Sequence, residues 1–162
     1  YGRYGMDNEY LNKKYKKLLE ELHQMMMDSG KLSASDIKML NSLVLAYVGD
    51  SVYDTFVRTL LVSGGYGQVS KLHKMSIEFV KAKAQADILE KISELLTPEE
   101  QDVVRRGRNT KSATVPKNAD ISDYRYATGF EALIGFLYLT GQIDRLMEIV
   151  RMVIDVKMNS HQ

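Results

Sequence analysis

Two stretches of the sequence are apolar on nearly every side of a helix, and each is interrupted by one carboxylate. Residues 43–53 contain Asp50, and residues 130–139 contain Glu131. A helix that is hydrophobic all round packs at the centre of a domain, covered by other elements. The two stretches therefore predict a pair of central helices, each with an acidic group in or beside the core.

The rest of the chain also favours helices. Only two prolines, Pro98 and Pro116, interrupt the 162 residues, and apolar residues recur at intervals of three and four between turn signals. We predict an all-α fold in one globular domain. The predicted helices cover residues 8–27, 36–62, 70–95, 98–107 and 122–139, with a last amphipathic helix after Gly141.

The two carboxylates need a cation beside them, because burying an ionised carboxylate without a partner costs several kcal/mol. That cation is either a metal ion or a basic side chain such as Arg58 or Arg125. The chain has no cysteine and three scattered histidines, which argues against zinc. A metal held by oxygen ligands would be Mg²⁺ or Mn²⁺.

Neighbours of Asp50 add to this prediction. Gly49 lies in mid-helix, where glycine costs about 1 kcal/mol relative to alanine, and this favours close approach of another backbone or a ligand. Asp54 lies one turn after Asp50 and would share its face. It is either simply solvated or joins a metal site directly or through water.

A basic segment follows at residues 105–118, with five cations, no acid and several hydroxyl and amide donors. Such a composition suits contacts with a phosphate backbone, although a solvated loop after a helix C-terminus would look the same. Net charge is only +1 and is no argument for nucleic acid by itself. The candidate RNA-binding residues are Arg105, Arg106, Arg108, Asn109, Lys111 and Lys117, with Lys74 and Lys81 extending the surface.

No apolar run approaches the roughly 20 residues that span a bilayer, and the start of the chain does not resemble a secretion signal. We therefore expect no membrane partner and a cytoplasmic protein.

Taken in order, the motifs resemble the Mini-ribonuclease III family, which is similar to a ribonuclease III catalytic domain without its double-stranded-RNA-binding domain. The resemblance covers roughly residues 38–150. It is carried by residues 43–52, 71–74, 79–86, 106–109, 111–112, 116–118, 124–126 and 131–135.

The resemblance implies a ribonuclease III endonuclease-like helical bundle at residues 33–158, with an N-terminal extension at 1–32 and a tail at 159–162. It implies that Asp50 and Glu131 are the catalytic residues and hold Mg²⁺, with Mn²⁺ as a substitute. Asp54 and Thr128 would complete the shell, alone or through water.

The resemblance also implies a homodimer that cleaves both strands of double-stranded RNA and leaves 5′-phosphate and 3′-hydroxyl ends. The expected substrate is precursor large-subunit (23S) ribosomal RNA, with a large-subunit ribosomal protein as a further partner.

Two positions depart from full-length ribonuclease III. Ala46 and Thr128 stand where that enzyme has a glutamate and an aspartate. This leaves two alternatives to the nuclease: a non-catalytic RNA-binding or ribosome-assembly module, and a metal-free helical interaction domain. Retention of Asp50 and Glu131 favours catalysis, because pure RNA binding does not need carboxylates that repel phosphate.

Overall fold

The structure of the protein is a computed structural model that describes residues 8–30, 32–111 and 115–159. All regular structure in these ranges is helical, which confirms the all-α prediction. Residues 1–7 of the predicted extension, 112–114 of the basic segment and 160–162 of the tail lie outside the described residues. The helices are α1 (Asn8–Ser29), α2 (Ala34–Met39), α3 (Ser42–Ser63), α4 (Val69–Val80), α5 (Ala82–Ile92), α6 (Pro98–Asn109), α7 (Ile121–Leu139) and α8 (Ile143–Asn159).

The single helix predicted at residues 36–62 is wrong, because the chain forms α2 and α3 there. Leu40 is extended, with ψ of 145°, and the Asn41 side chain accepts a hydrogen bond from the Leu43 N–H at 2.8 Å. Asparagine is a preferred N-cap, and it starts α3 in a new direction. Ser33 and Asp36 form a capping box at the start of α2.

The helix predicted at residues 70–95 is also divided, at Lys81, whose backbone is extended with φ of −61° and ψ of 147°. The break leaves carbonyl groups at the end of α4 without helical partners. Two buried side chains bind them: the Tyr53 hydroxyl donates to the Phe79 carbonyl at 3.1 Å, and the Gln85 amide donates to the Val80 carbonyl at 2.9 Å. Tertiary contacts thus stabilise a break that local sequence does not signal.

The remaining helices follow the prediction more closely. Thr97 and Glu100 form the expected capping box at α6, but α6 continues to Asn109 and does not end at Gly107. Gly107 lies inside α6 because α7 packs against it: a Cβ there would be 2.8 Å from the Gly129 Cα. Glycine at this position therefore allows α6 and α7 to pack closely, and it does not end the helix.

α7 is the central helix, and its residues from 127 to 137 are buried apart from the partly exposed Glu131. α3, α5 and α6 pack around it, and α8 covers its C-terminal end. The prediction of a centrally packed helix at residues 122–139 is confirmed. No helix among the described residues is long and apolar enough to cross a membrane.

α1 packs against α8 and reaches the end of α7. The Lys16 ammonium lies 2.8 Å from the Asp144 carboxylate on α8. The His23 ring nitrogen Nε2 is 3.0 Å from the Leu139 carbonyl oxygen. The predicted amphipathic N-terminal helix therefore exists and packs on the domain through Leu19 and Met27, while part of its apolar face is exposed.

Candidate active site

The geometry of the site is set by a backbone-to-backbone crossing of α3 and α7. A Cβ at Gly49 would lie 1.7 Å from the Glu131 carbonyl oxygen, and a Cβ at Gly135 would lie 1.9 Å from the Leu45 carbonyl oxygen. Real Cβ atoms do not approach oxygen so closely, so both positions require glycine. Because Asp50 follows Gly49 directly, the crossing brings Asp50 and Glu131 to the same place.

The two carboxylates repel each other. Burial and the charge of Asp50 raise the pKa of Glu131 to about 7, and a hydrogen bond from Gln85 offsets this only in part. The pKa of Asp50 is raised by partial loss of hydration and by the charge of Asp54. The ionised pair therefore lacks a compensating cation.

The expected basic partner of Asp50 is not found among the described residues, where neither Asp50 nor Glu131 forms an ion pair. Arg58 instead binds Asp54, with 2.7 Å between Nε and Oδ2. The expectation that Asp50 is buried is also wrong, because its side chain is exposed at the edge of the crossing while Glu131 is partly buried. No basic side chain among the described residues therefore compensates the acidic pair.

A hard divalent cation fits these residues by the chemistry of its donors and by the repulsion it would relieve. Mg²⁺ usually keeps several waters and binds one or two carboxylates together with substrate phosphates. No group of three or more acidic or histidine side chains able to hold a metal occurs in the described part of the chain. Thr128 is buried, and its hydroxyl donates to the Tyr124 carbonyl at 3.0 Å.

Gln85 is a residue of the site that sequence reasoning missed. It lies on α5 and is 1% exposed, and its side chain hydrogen-bonds with Glu131. The signal was available, because Gln85 shares the apolar face of α5 with Ile88, Leu89 and Ile92, all of which are buried. A side-chain amide on the buried face of a helix needs a hydrogen-bond partner.

The basic residues lie at the C-terminal end of α6 and after it. Arg105 and Arg106 both bind Asp102, at 2.5 Å and 3.2 Å, so part of their charge is compensated. Beside them is an open pocket of about 370 Å³. It is lined by Leu40, Asn41, Ser42, Arg105, Arg106, Asn109 and Thr110.

The other predicted RNA-binding residues are more dispersed. The Arg108 guanidinium lies 4.6 Å from the centre of the Tyr126 ring on α7, and Lys81 binds Glu78 at 3.1 Å. Lys74, Lys111 and Lys117 are exposed. The structure thus gathers Arg105, Arg106 and Asn109 around one pocket, whereas Lys74 and Lys81 lie on or next to α4.

Comparison with known proteins agrees with this fold. The Ribonuclease III domain family matches residues 43–142. A Mini-ribonuclease 3 of Clostridium tetani is 50% identical over 133 residues, which cover 82% of this chain and 88% of the relative. A Mini-ribonuclease 3 of a Thermoanaerobacter species is 48% identical over 125 residues, covering 77% and 88%.

A solved structure gives the same result. The crystal structure of a Fusobacterium nucleatum protein superposes with a TM-score of 0.68 at 31% identity, covering 75% of this chain and 98% of that one. The chain belongs to the ribonuclease III domain family and, within it, to the Mini-ribonuclease 3 group. The resemblance seen in the motifs is confirmed, and the protein is an endoribonuclease of the ribonuclease III type.

Proposed function

We propose that this endoribonuclease cleaves double-stranded RNA at the Asp50–Glu131 pair and depends on Mg²⁺, for which Mn²⁺ can substitute. The observation that carries the proposal is the glycine crossing of α3 and α7, which holds two mutually repelling carboxylates together. Such an arrangement is unfavourable without a cation and becomes favourable when one binds.

The chemistry proposed is hydrolysis of a phosphodiester. A bound divalent cation supplies an activated water and neutralises charge on the phosphate. Asp50 and Glu131 would hold that cation, and Glu131, whose pKa is raised to about 7, would bind it in its deprotonated form. The bond between phosphorus and the 3′ oxygen breaks, which leaves a 3′-hydroxyl and a 5′-phosphate.

Asp54 and Thr128 have smaller roles in the proposed site. Asp54 is bound by Arg58, so it contributes through its charge or through water. The Thr128 hydroxyl donates within α7, which leaves its oxygen lone pairs for a water. Most of the cation's shell therefore comes from water and from the RNA phosphate.

RNA binding is assigned to the basic end of α6 and the segment after it. Arg105, Arg106 and Asn109 surround the open pocket, and Arg108, Lys111 and Lys117 extend this surface. Lys74 and Lys81 are proposed as more distant contacts. Double-stranded RNA is read largely by shape, 2′-hydroxyls and phosphates, which suits such side chains. The proposed substrate is precursor 23S ribosomal RNA, with a large-subunit ribosomal protein as a further partner.

A homodimer is supported by the outer face of α3. Val44, Tyr47 and Val62 are 46%, 80% and 58% exposed, and with Ser51 and Thr55 they recur at helical intervals along one stripe. Exposed apolar side chains such as Val44 and Tyr47, close together on one helix face, favour an interaction site there. Asp50 and Asp54 lie at the edge of this stripe, so a second copy packed there would place two sites close together, one for each strand.

Cleavage of an end-labelled RNA duplex, with Mg²⁺ or with EDTA, tests the proposal. Asp50→Asn and Glu131→Gln should each lower the rate by at least about 10²–10³-fold, equivalent to about 3–4 kcal/mol in the barrier. Asp155→Asn, an exposed acid on α8, is the matched control and should cleave normally.

Products with 5′-phosphates that form only with metal and only in wild type and control would support the site. Normal cleavage by Asp50→Asn would refute the site assignment. RNA binding without cleavage by wild type, on the duplex and on precursor ribosomal RNA, would favour the non-catalytic ribosome-assembly alternative.

A further inference from the structure

The side-chain amide of Gln85 is almost fully buried, at 1% exposure, and its hydrogen bonds are unusual. The Nε2 group donates to the Val80 carbonyl at 2.9 Å and also donates to the Glu131 carboxylate. The Oε1 atom has no hydrogen-bond partner among the described residues. The NH₂ group of this amide therefore donates to two acceptors, and the amide oxygen accepts no hydrogen bond.

Packing alone does not account for a glutamine here. A buried polar atom without a partner costs about 1–3 kcal/mol, whereas an ordinary buried hydrogen bond contributes only about 1 kcal/mol. The bond with Val80 thus does no more than offset the unpaired oxygen. A leucine or methionine would avoid the unpaired oxygen but would leave the Val80 carbonyl without its donor, so these two effects together give glutamine no clear advantage.

What the glutamine adds is a neutral donor fixed next to an acid of the site. Glu131 has three rotatable carbon–carbon bonds from its Cα to its carboxylate, while its backbone is fixed by the crossing with Gly49. The bond with the Val80 carbonyl anchors the Gln85 amide at the end of α4. A fixed donor beside a mobile carboxylate restricts the directions in which that carboxylate points.

We propose that Gln85 is a positioning residue, which holds the Glu131 carboxylate towards Asp50 for cation binding. The inference rests on the proposed function of Asp50 and Glu131. It gives the site three contributing side chains, from α3, α5 and α7, and only two of these bind the cation. Because two carboxylates give the cation few protein ligands, the orientation of each matters more.

The test measures Mn²⁺ binding to the full chain by calorimetry in the absence of RNA, and cleavage as a function of Mg²⁺ concentration. Gln85→Met and Gln85→Leu both remove the amide and keep an apolar side chain of similar size. Loss of a group that orients a metal ligand typically weakens metal binding 10- to 100-fold. We expect about tenfold weaker Mn²⁺ binding and a matching rise in the Mg²⁺ concentration needed for half-maximal cleavage.

Tyr53→Phe is the matched control. The Tyr53 hydroxyl is also a buried donor to a carbonyl at the end of α4, that of Phe79 at 3.1 Å. Its removal should lower the melting temperature and leave Mn²⁺ affinity unchanged. Cleavage at saturating Mg²⁺ should be largely retained in the Gln85 variants, because excess metal compensates for a badly oriented ligand.

Wild-type Mn²⁺ affinity in folded Gln85→Met and Gln85→Leu would overturn the proposal and leave Gln85 a structural role at Val80. Failure of both variants to fold, while Tyr53→Phe folds, would overturn it too. Wild-type Mn²⁺ affinity in Asp50→Asn is a different outcome, because it would refute the cation site itself and hence the proposed function.

Discussion

α7 is crossed by two helices through glycines, and the two crossings have different characters. At the α3 crossing, backbone meets backbone so closely that a Cβ at Gly49 would lie 1.7 Å from an oxygen. At the α6 crossing, the nearest atoms to a Cβ at Gly107 or Gly129 are 2.8 and 2.9 Å away. The first crossing carries the acids, and the second leads to the basic surface.

The two crossings differ in how precisely they position the side chains next to them. The main chain fixes the backbone positions of Asp50 and Glu131, which would suit the proposed binding of a small ion. The cations near the second crossing are on long side chains, and two of them, Arg105 and Arg106, form ion pairs with Asp102. Phosphate contacts set the register of a bound nucleic acid and tolerate such adaptability.

The largest effect is expected from Gly49→Ala, which attacks the tighter crossing. The added methyl cannot avoid the Glu131 carbonyl, so α3 and α7 must separate, and we expect destabilisation of about 3 kcal/mol or more and loss of cleavage. Urea denaturation measures the change. At Gly64, at the end of the same helix, the nearest atom to a Cβ is at an ordinary 3.4 Å, and Gly64→Ala should be neutral or slightly stabilising.

An intermediate effect is expected from pH in the metal-free protein. The Glu131 pKa of about 7 lies above its ordinary value of 4.5, so the folded state binds the proton more tightly than the unfolded chain does. Its stabilising contribution is present below about pH 4.5 and is lost as pH rises through about 7. At pH 8 in EDTA, Glu131→Gln should therefore exceed wild type in stability by on the order of 1–3 kcal/mol.

Melting temperatures from pH 4 to pH 8 check this expectation. The gap between the variant and wild type should open with rising pH and close again when Mg²⁺ is added at pH 8. Parallel curves would mean that repulsion between Asp50 and Glu131 does not destabilise the crossing.

The smallest effect is expected on the basic side, from Asp102→Asn. This change releases Arg105 and Arg106 from their ion pairs with an exposed carboxylate, whose loss should change stability little because solvent screens such pairs. Affinity for an RNA duplex should rise a few-fold, with a steeper salt dependence. Asp87→Asn makes the same charge change at an acid bound to Lys83. Equal gains in the two variants would show that net charge, and not this surface, is responsible.

The parts of the fold that local sequence determines were predictable. The all-round apolar α7 and the capping box of Thr97 and Glu100 are properties of adjacent residues. The breaks at Leu40 and Lys81 were missed for different reasons. Asn41 is an N-cap without a proline or glycine nearby, whereas the break at Lys81 depends on Tyr53 and Gln85, which bind carbonyls from other helices.

The two acids of the candidate site could be predicted from the sequence, but the helix crossing that brings them together could not. Asp50 and Glu131 stand out as charges in apolar stretches, and Gly49 signalled a close approach. Its counterpart Gly135 could not be identified, because a sequence contains no information on which two glycines meet. Gln85 was overlooked since amides are common on helix surfaces, and only its position on the apolar face of α5 distinguished it.

The burial of residues 127–137 of α7 has a consequence for how long the arrangement of the acidic pair persists. A helix at the edge of a domain frays or opens locally, but a central helix is released only when the elements around it come apart. Glu131 is carried by such a helix, so its backbone leaves the working position only in molecules that have largely unfolded. The fraction of molecules with an assembled acidic pair is then governed by the folding equilibrium of the whole domain.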